Sequence, residues 1–157
     1  MKRFTMLAHP ELEITSPAAV WERGDEVPNF GQVSWALKSR WVKPPTLTSF
    51  VIATHLAGNY FGGKGGRHPR PTEWTHDLHM SGVFLRFRQH HPELVPYWLS
   101  EDAIRKEAGG RGVKIPDALI RTKNFERVIE FGGAYGKNKL KDFHAFCEGR
   151  GLAYEIW

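Results

Sequence analysis

Two acids stand inside apolar runs near the C-terminal end of this chain, a placement that few folds tolerate. VKIPDALI, from Val113 to Ile120, carries Asp117, and RVIEF, from Arg127 to Phe131, carries Glu130 thirteen residues later. A carboxylate among Val, Ile and Phe must be paired, protonated or bound to a cation, because burying it bare costs on the order of several kcal/mol or shifts its pKa. Two such acids on neighbouring strands make a divalent metal site. The plainer reading is that Asp117 caps a turn after Pro116 and that Glu130 alternates outward to solvent. The residues after Glu130 favour the metal: Gly132, Gly133 and Gly136 come first, then a helix opening with Lys137, Lys139 and Lys141.

Length and composition bound the rest. The 157 residues make one domain, or one core with an extension, and a 41% hydrophobic content fills that core. A net charge of +5 and a sequence pI near 9.5 favour a polyanionic partner, most simply nucleic acid. Cys147 is the one cysteine, so no intramolecular disulfide forms; a reducing cytoplasm suits it, and it reads as core packing. No apolar run of signal-peptide length follows Met1–Arg3, and the longest apolar cluster, Phe50–Ala53, is too short to span a bilayer. The expectation is a soluble cytoplasmic protein with no membrane partner.

The chain changes character near residue 60. Pro10, Pro17, Pro28, Pro44 and Pro45 interrupt the first part, with Trp21, Trp35 and Trp41 as anchors, so residues 1–60 read as an irregular extension packed on a core. Thr46–Ala57 is expected to be a short helix, with Leu47, Phe50, Val51 and Thr54 on one side. Residues 61–73 then form a flexible basic Gly/Pro loop. From residue 74 to 157 the pattern is regular. Helical spacing of Met80, Val83, Phe84 and Phe87 predicts a helix over Thr75–Gln89, and Val95–Leu99 a short strand. Ser100 caps a brief helix that ends before Gly109. Residues 113–120 and 125–131 form a hairpin turning at Arg121–Asn124, with Arg127, Ile129 and Phe131 on one face and Val128 and Glu130 on the other. A helix over Lys137–Glu148 and a strand over Leu152–Trp157 complete the chain. A strand, helix, strand return implies a crossover, hence a single α/β domain with a mixed β-sheet flanked by helices.

Other motifs carry less. GNYFGGKG, Gly58–Gly65, nearly spells a phosphate-binding loop but has glycine where a hydroxyl should hold magnesium, and Pro69 and Pro71 where a helix should come next. Lys64, Arg67 and Arg70 in this loop are better read as DNA-backbone contacts, with a solvated loop as the alternative. His76 and His79 have the i, i+3 spacing of a zinc pair, but no further ligand run completes a site; His76 or Asp77 assisting a nearby metal centre is the stronger role. Glu101 is a minor candidate.

A helix carrying Asp77, the pair Pro116-Asp117, a strand ending in Glu130, and then a helix and a strand resembles the core of the PD-(D/E)XK restriction-endonuclease-like superfamily. Within it, the chain is similar to the nuclease-like domain of the replication-relaxation family of mobile-element proteins, over roughly residues 73 to 157. The resemblance implies a metal-dependent DNA endonuclease of a mobile element or plasmid system, in which Asp117 and Glu130 hold Mg or Mn. A lysine two residues after the glutamate would orient or activate the attacking water, and here that position is Gly132. In some members the next helix supplies the lysine, and Lys139 is the first choice, ahead of Lys137 and Lys141. A homodimer would serve to cut both strands. The alternative is a catalytically inactive DNA-binding protein of the same fold, acting in plasmid replication or mobilisation.

Overall fold

The apolar runs around Asp117 and Glu130 lie at the centre of a five-stranded sheet. The computed structural model describes residues 2–10, 14–60, 66, 68–109 and 114–157. Among these, β1 (Lys2–Ala8) and β3 (Thr46–Ile52) form a separate antiparallel ribbon. The larger sheet has the order β2-β7-β6-β5-β4, from β2 (Ala19–Trp21), β7 (Ala153–Ile156), β6 (Glu126–Glu130), β5 (Ala118–Arg121) and β4 (Trp98–Ser100). All its neighbours are antiparallel except β6 and β7, which the crossover helix α5 (Lys137–Glu148) makes parallel. The other helices are α1 (Phe30–Ser39), α2 (His55–Tyr60), α3 (Trp74–His90) and α4 (Glu101–Ala108), with a 3-10 segment at Pro92–Tyr97.

The sheet is covered on both faces, so its central strands are apolar in both phases of the pleat. Ala118, Ile120, Ile129 and Phe131 pack with Val83 and Phe87 of α3. Leu119, Val128 and Ile156 pack with Leu37 of α1 and with Leu140, Phe143 and Cys147 of α5. Each large apolar side chain so buried contributes roughly 1.5–3 kcal/mol. The alternation of β6 read from the sequence is the one observed: Val128 belongs to one core and Ile129 to the other. The mixed sheet flanked by helices is therefore as expected, and among the described residues no helix is long and apolar enough to cross a membrane.

The N-terminal part carries more regular structure than its prolines suggest. Asn29 caps α1, its side-chain oxygen accepting from the amides of Gly31 (3.1 Å) and Gln32 (3.2 Å), which offsets two of the unpaired donors of the first turn. β2 extends the main sheet, pairing Ala19 with Ile156 and Trp21 with Tyr154. The helix expected over 46–57 is corrected. Residues 46–52 are β3, because Thr48, Phe50 and Ile52 turn inward while Leu47, Ser49 and Val51 face solvent, a period of two that β1 fixes by pairing. The strand expected at 95–99 begins only at Trp98, since Pro96 lacks the amide a ladder needs and the 3-10 segment runs through Tyr97. Lys64 and Arg67 lie outside the described residues. Arg70, from the same stretch, is held by Glu73 at 3.1 Å.

Candidate active site at the end of the central strands

The hairpin brings the two acids together. Ala118 pairs with Ile129, so the same register continued by one step sets Asp117 opposite Glu130, where cross-strand side chains are immediate neighbours. A hydrogen bond fixes that step: the Phe131 amide donates to Asp117 Oδ2 at 2.8 Å. On the other side the Trp157 amide donates to the Glu130 carbonyl, and the Gly132 amide to the Trp157 carbonyl, both at 2.8 Å. Glu130 thus sits at the C-terminal end of the parallel pair, where open α/β sheets place their ligand crevices.

Glu130 is buried, with 7% of its surface exposed. Burial first, then the charge of Asp117, pushes its carboxyl up to about 7, against the opposing pull of a hydrogen bond from the Tyr135 hydroxyl (2.7 Å), the Asp117 amide and Lys114. Tyr135 is itself driven well above the usual phenol range by burial and by Glu130, so it remains a neutral donor. Its loop is anchored from α1, where the Ser34 hydroxyl donates to the Tyr135 carbonyl at 2.9 Å.

Asp117 meets α3 through His76, whose Nε2 lies 2.9 Å from Oδ1; the other ring nitrogen lies 3.1 Å from Asp77 Oδ1. Burial opposes charge on His76, but the hydrogen bonds to Asp117 and Asp77 outweigh it and raise the imidazole to about 10. An imidazolium therefore bridges the two aspartates at neutral pH. The sequence-derived pairing of His76 with His79 does not form. His79 bonds the His9 carbonyl at 2.7 Å, stacks on Phe131, and is kept below the ordinary histidine range chiefly by burial. Among the described residues no group of three or more His, Cys, Asp or Glu side chains is arranged to hold a metal ion. Glu101 is paired with Arg105, and it shares with His76, Asp77 and Asp117 an open groove of about 510 Å³.

Lys139 lies over the Tyr135 ring from the first turn of α5. Its ammonium lies 3.5 Å from the centre of the Tyr135 ring; burial pulls its pKa down, and Glu130 and Asp117 pull the other way. Lys137 and Lys141 are exposed on the same helix, and side chains two residues away project from a different side of it. Gly132, where the resemblance puts the lysine, has no room for any side chain: a methyl group there would come within 2.7 Å of Leu37 Cδ1 and 2.8 Å of Ile156 Cγ2.

Sequence reasoning missed Tyr135, Lys114 and Ser34. An aromatic inside the glycine-rich GGAYG segment is a usable signal for Tyr135; Lys114, two residues before Pro116, had a signal only in that proximity. Comparison with family models, with curated proteins and with solved structures finds no match for the chain.

Proposed function

We propose that the Asp117–Glu130 end of the sheet is the hydrolytic site of a metal-dependent DNA nuclease of the PD-(D/E)XK type, cytoplasmic and belonging to a mobile element or plasmid system. The observation that carries the reading is the placing of Asp117 opposite Glu130 across the β5–β6 pair, where the Phe131 amide bonds Asp117 and the charge of each acid is felt by Lys139. The order of parts supports it too: an acid on α3, a Pro-Asp ahead of β5, a glutamate ending β6, a lysine on α5 and a returning β7.

The donor set fits Mg or Mn. Both acids offer oxygen only, and magnesium commonly binds through one or two carboxylates with waters filling the rest. Glu130 is raised partly because Asp117 lies beside it, so a cation between them would take the place of the proton that Glu130 otherwise carries. When bound, such an ion supplies a water of lowered pKa and shields the charge growing on the phosphate. The residues of the chain do the rest. Asp117 and Glu130 would hold the ion and Lys139 would orient the attacking water, while Tyr135 fixes the Glu130 carboxylate by its hydroxyl. His76 holds Asp117 Oδ1 and would add a positive charge beside a bound phosphate.

A second reading is favoured by that histidine contact. With Asp117 already neutralised by His76, and Gly132 sealed by Leu37, the same surface serves a DNA-binding protein without hydrolysis. The deciding experiment incubates plasmid, linear and single-stranded DNA with the protein in Mg or Mn, beside Asp117→Ala and Glu130→Ala. The nuclease reading expects cleavage lost in both variants; wild type without metal-dependent cleavage on every substrate hands the role to the binding reading.

A further inference from the structure

The two helices α1 and α5 carry exposed lysines, and α1 adds an unusual aromatic. Trp35, on α1, is 73% exposed and is the one tryptophan among the exposed large apolar side chains of the described residues. A bare indole in water is apolar area left unburied, and its flat face is a platform on which a planar group stacks. Its setting is specific. Ser34, the preceding residue, holds the Tyr135 carbonyl at 2.9 Å, and Lys38, one turn later on α1, lies 4.0 Å from where a methyl group on Gly136 would sit. Gly136 is the N-cap of α5, so the Lys38 ammonium stands at the end of the helix that carries exposed Lys137 and Lys139. Trp35 and Lys38 are i, i+3 neighbours on α1, Gly136 beside Lys38 leads into Lys137, and Lys139 lies over the Tyr135 ring whose hydroxyl bonds Glu130.

We infer that this rim is a binding track for single-stranded DNA, in which a base stacks on Trp35 and the phosphates run along Lys38 and Lys137 toward the acidic pair. Charge complementarity supports the occupant: exposed lysines from two helices attract a polyanion, and the aromatic among them suits unpaired bases, whose faces duplex DNA keeps stacked on one another. The inference rests on the hydrolytic reading of the same site and deepens it by naming the substrate as a single strand.

The test is fluorescence anisotropy of a labelled oligothymidylate and of a hairpin duplex of matched length, with the Glu130→Gln chain in chelator, so that no cleavage intervenes. The single strand should bind more tightly than the duplex. Trp35→Ala should weaken single-strand binding by about tenfold and leave the duplex unchanged, while Trp35→Phe keeps most of the affinity. Lys38→Ala with Lys137→Ala should lower the salt slope by about two phosphate contacts. Equal affinity for the two forms, a preference for oligouridylate, or an indifferent Trp35→Ala overturns the track. A Trp35 effect in a protein that never cleaves removes only the hydrolytic reading, whereas cleavage indifferent to Trp35 removes only the track.

Discussion

Leu37 of α1 fills the space that a side chain on Gly132 would need, with 2.7 Å left between its Cδ1 and an added methyl. A helix from the N-terminal part of the chain therefore decides the chemistry allowed at the end of β6. Gly132→Ala should destabilise the fold by roughly 1–3 kcal/mol through overpacking, read as a lower denaturant midpoint. Gly132→Lys should be worse still and should not confer or raise cleavage. A stable and more active Gly132→Lys protein would contradict the packing argument.

Glu130→Gln should stabilise the protein while it removes function. Glu130 is raised to about 7, so the folded state binds this proton more tightly than the unfolded chain does. Between the ordinary glutamate range and about pH 7 stability then falls as pH rises, and above pH 7 the full penalty of the buried charge remains. Glutamine accepts the Tyr135 hydrogen bond without that charge, so the variant should gain on the order of 1–3 kcal/mol at pH 8. Urea titrations at pH 5 and pH 8 check it; a variant less stable than wild type at pH 8 would show that the charge is compensated.

His76 carries the same fall on to higher pH. Its folded pKa of about 10 lies above the unfolded value, so the stability it contributes is fully present below the ordinary histidine range and is lost as pH rises through about 10. Thermal melts of wild type should fall from pH 7 to pH 10, and His76→Gln should flatten that interval. An unchanged slope in the variant would place the titration elsewhere.

Lys139→Ala should slow metal-dependent cleavage by roughly 10²-fold or more with DNA affinity nearly intact, whereas Lys137→Ala should weaken DNA affinity and keep the cleavage rate at saturating protein. Single-turnover rates at saturating protein separate the two effects. Equal losses in the two variants would mean that the lysines serve only as counter-charge.

Magnesium should raise the melting temperature of wild type and leave Asp117→Asn or Glu130→Gln unmoved, because an ion bound to the folded state alone shifts unfolding by mass action. Addition of a chelator should return wild type to its metal-free value. A rise of equal size in all three proteins would place the ion away from the two carboxylates.

The sequence made the acidic pair legible because its signal is local. An aspartate just after Pro116 and a glutamate in RVIEF keep to strand alternation, and a short turn can only fold them against each other. The helix that carries Lys139 was equally plain from Leu140, Phe143 and Cys147. The ribbon was not. Leu47, Phe50 and Val51 satisfy a helical spacing while Thr48, Phe50 and Ile52 satisfy a strand, and only pairing with β1, which lies far away in sequence, decides between them. The Leu37 contact with Gly132 and the Ser34 bond to Tyr135 are of the same kind: nothing periodic in either segment announces a partner about a hundred residues away.

The pairing of β2 with β7 joins segments far apart in the chain. Ala19 faces Ile156, so the edge of the main sheet forms only after nearly the whole described chain has been gathered into one loop. Loop-closure entropy is lost before those hydrogen bonds return anything, and such non-local pairing slows folding. Trp21 stacks on Tyr154 across this same pair, so the ring contact depends on the same long closure as the hydrogen bonds.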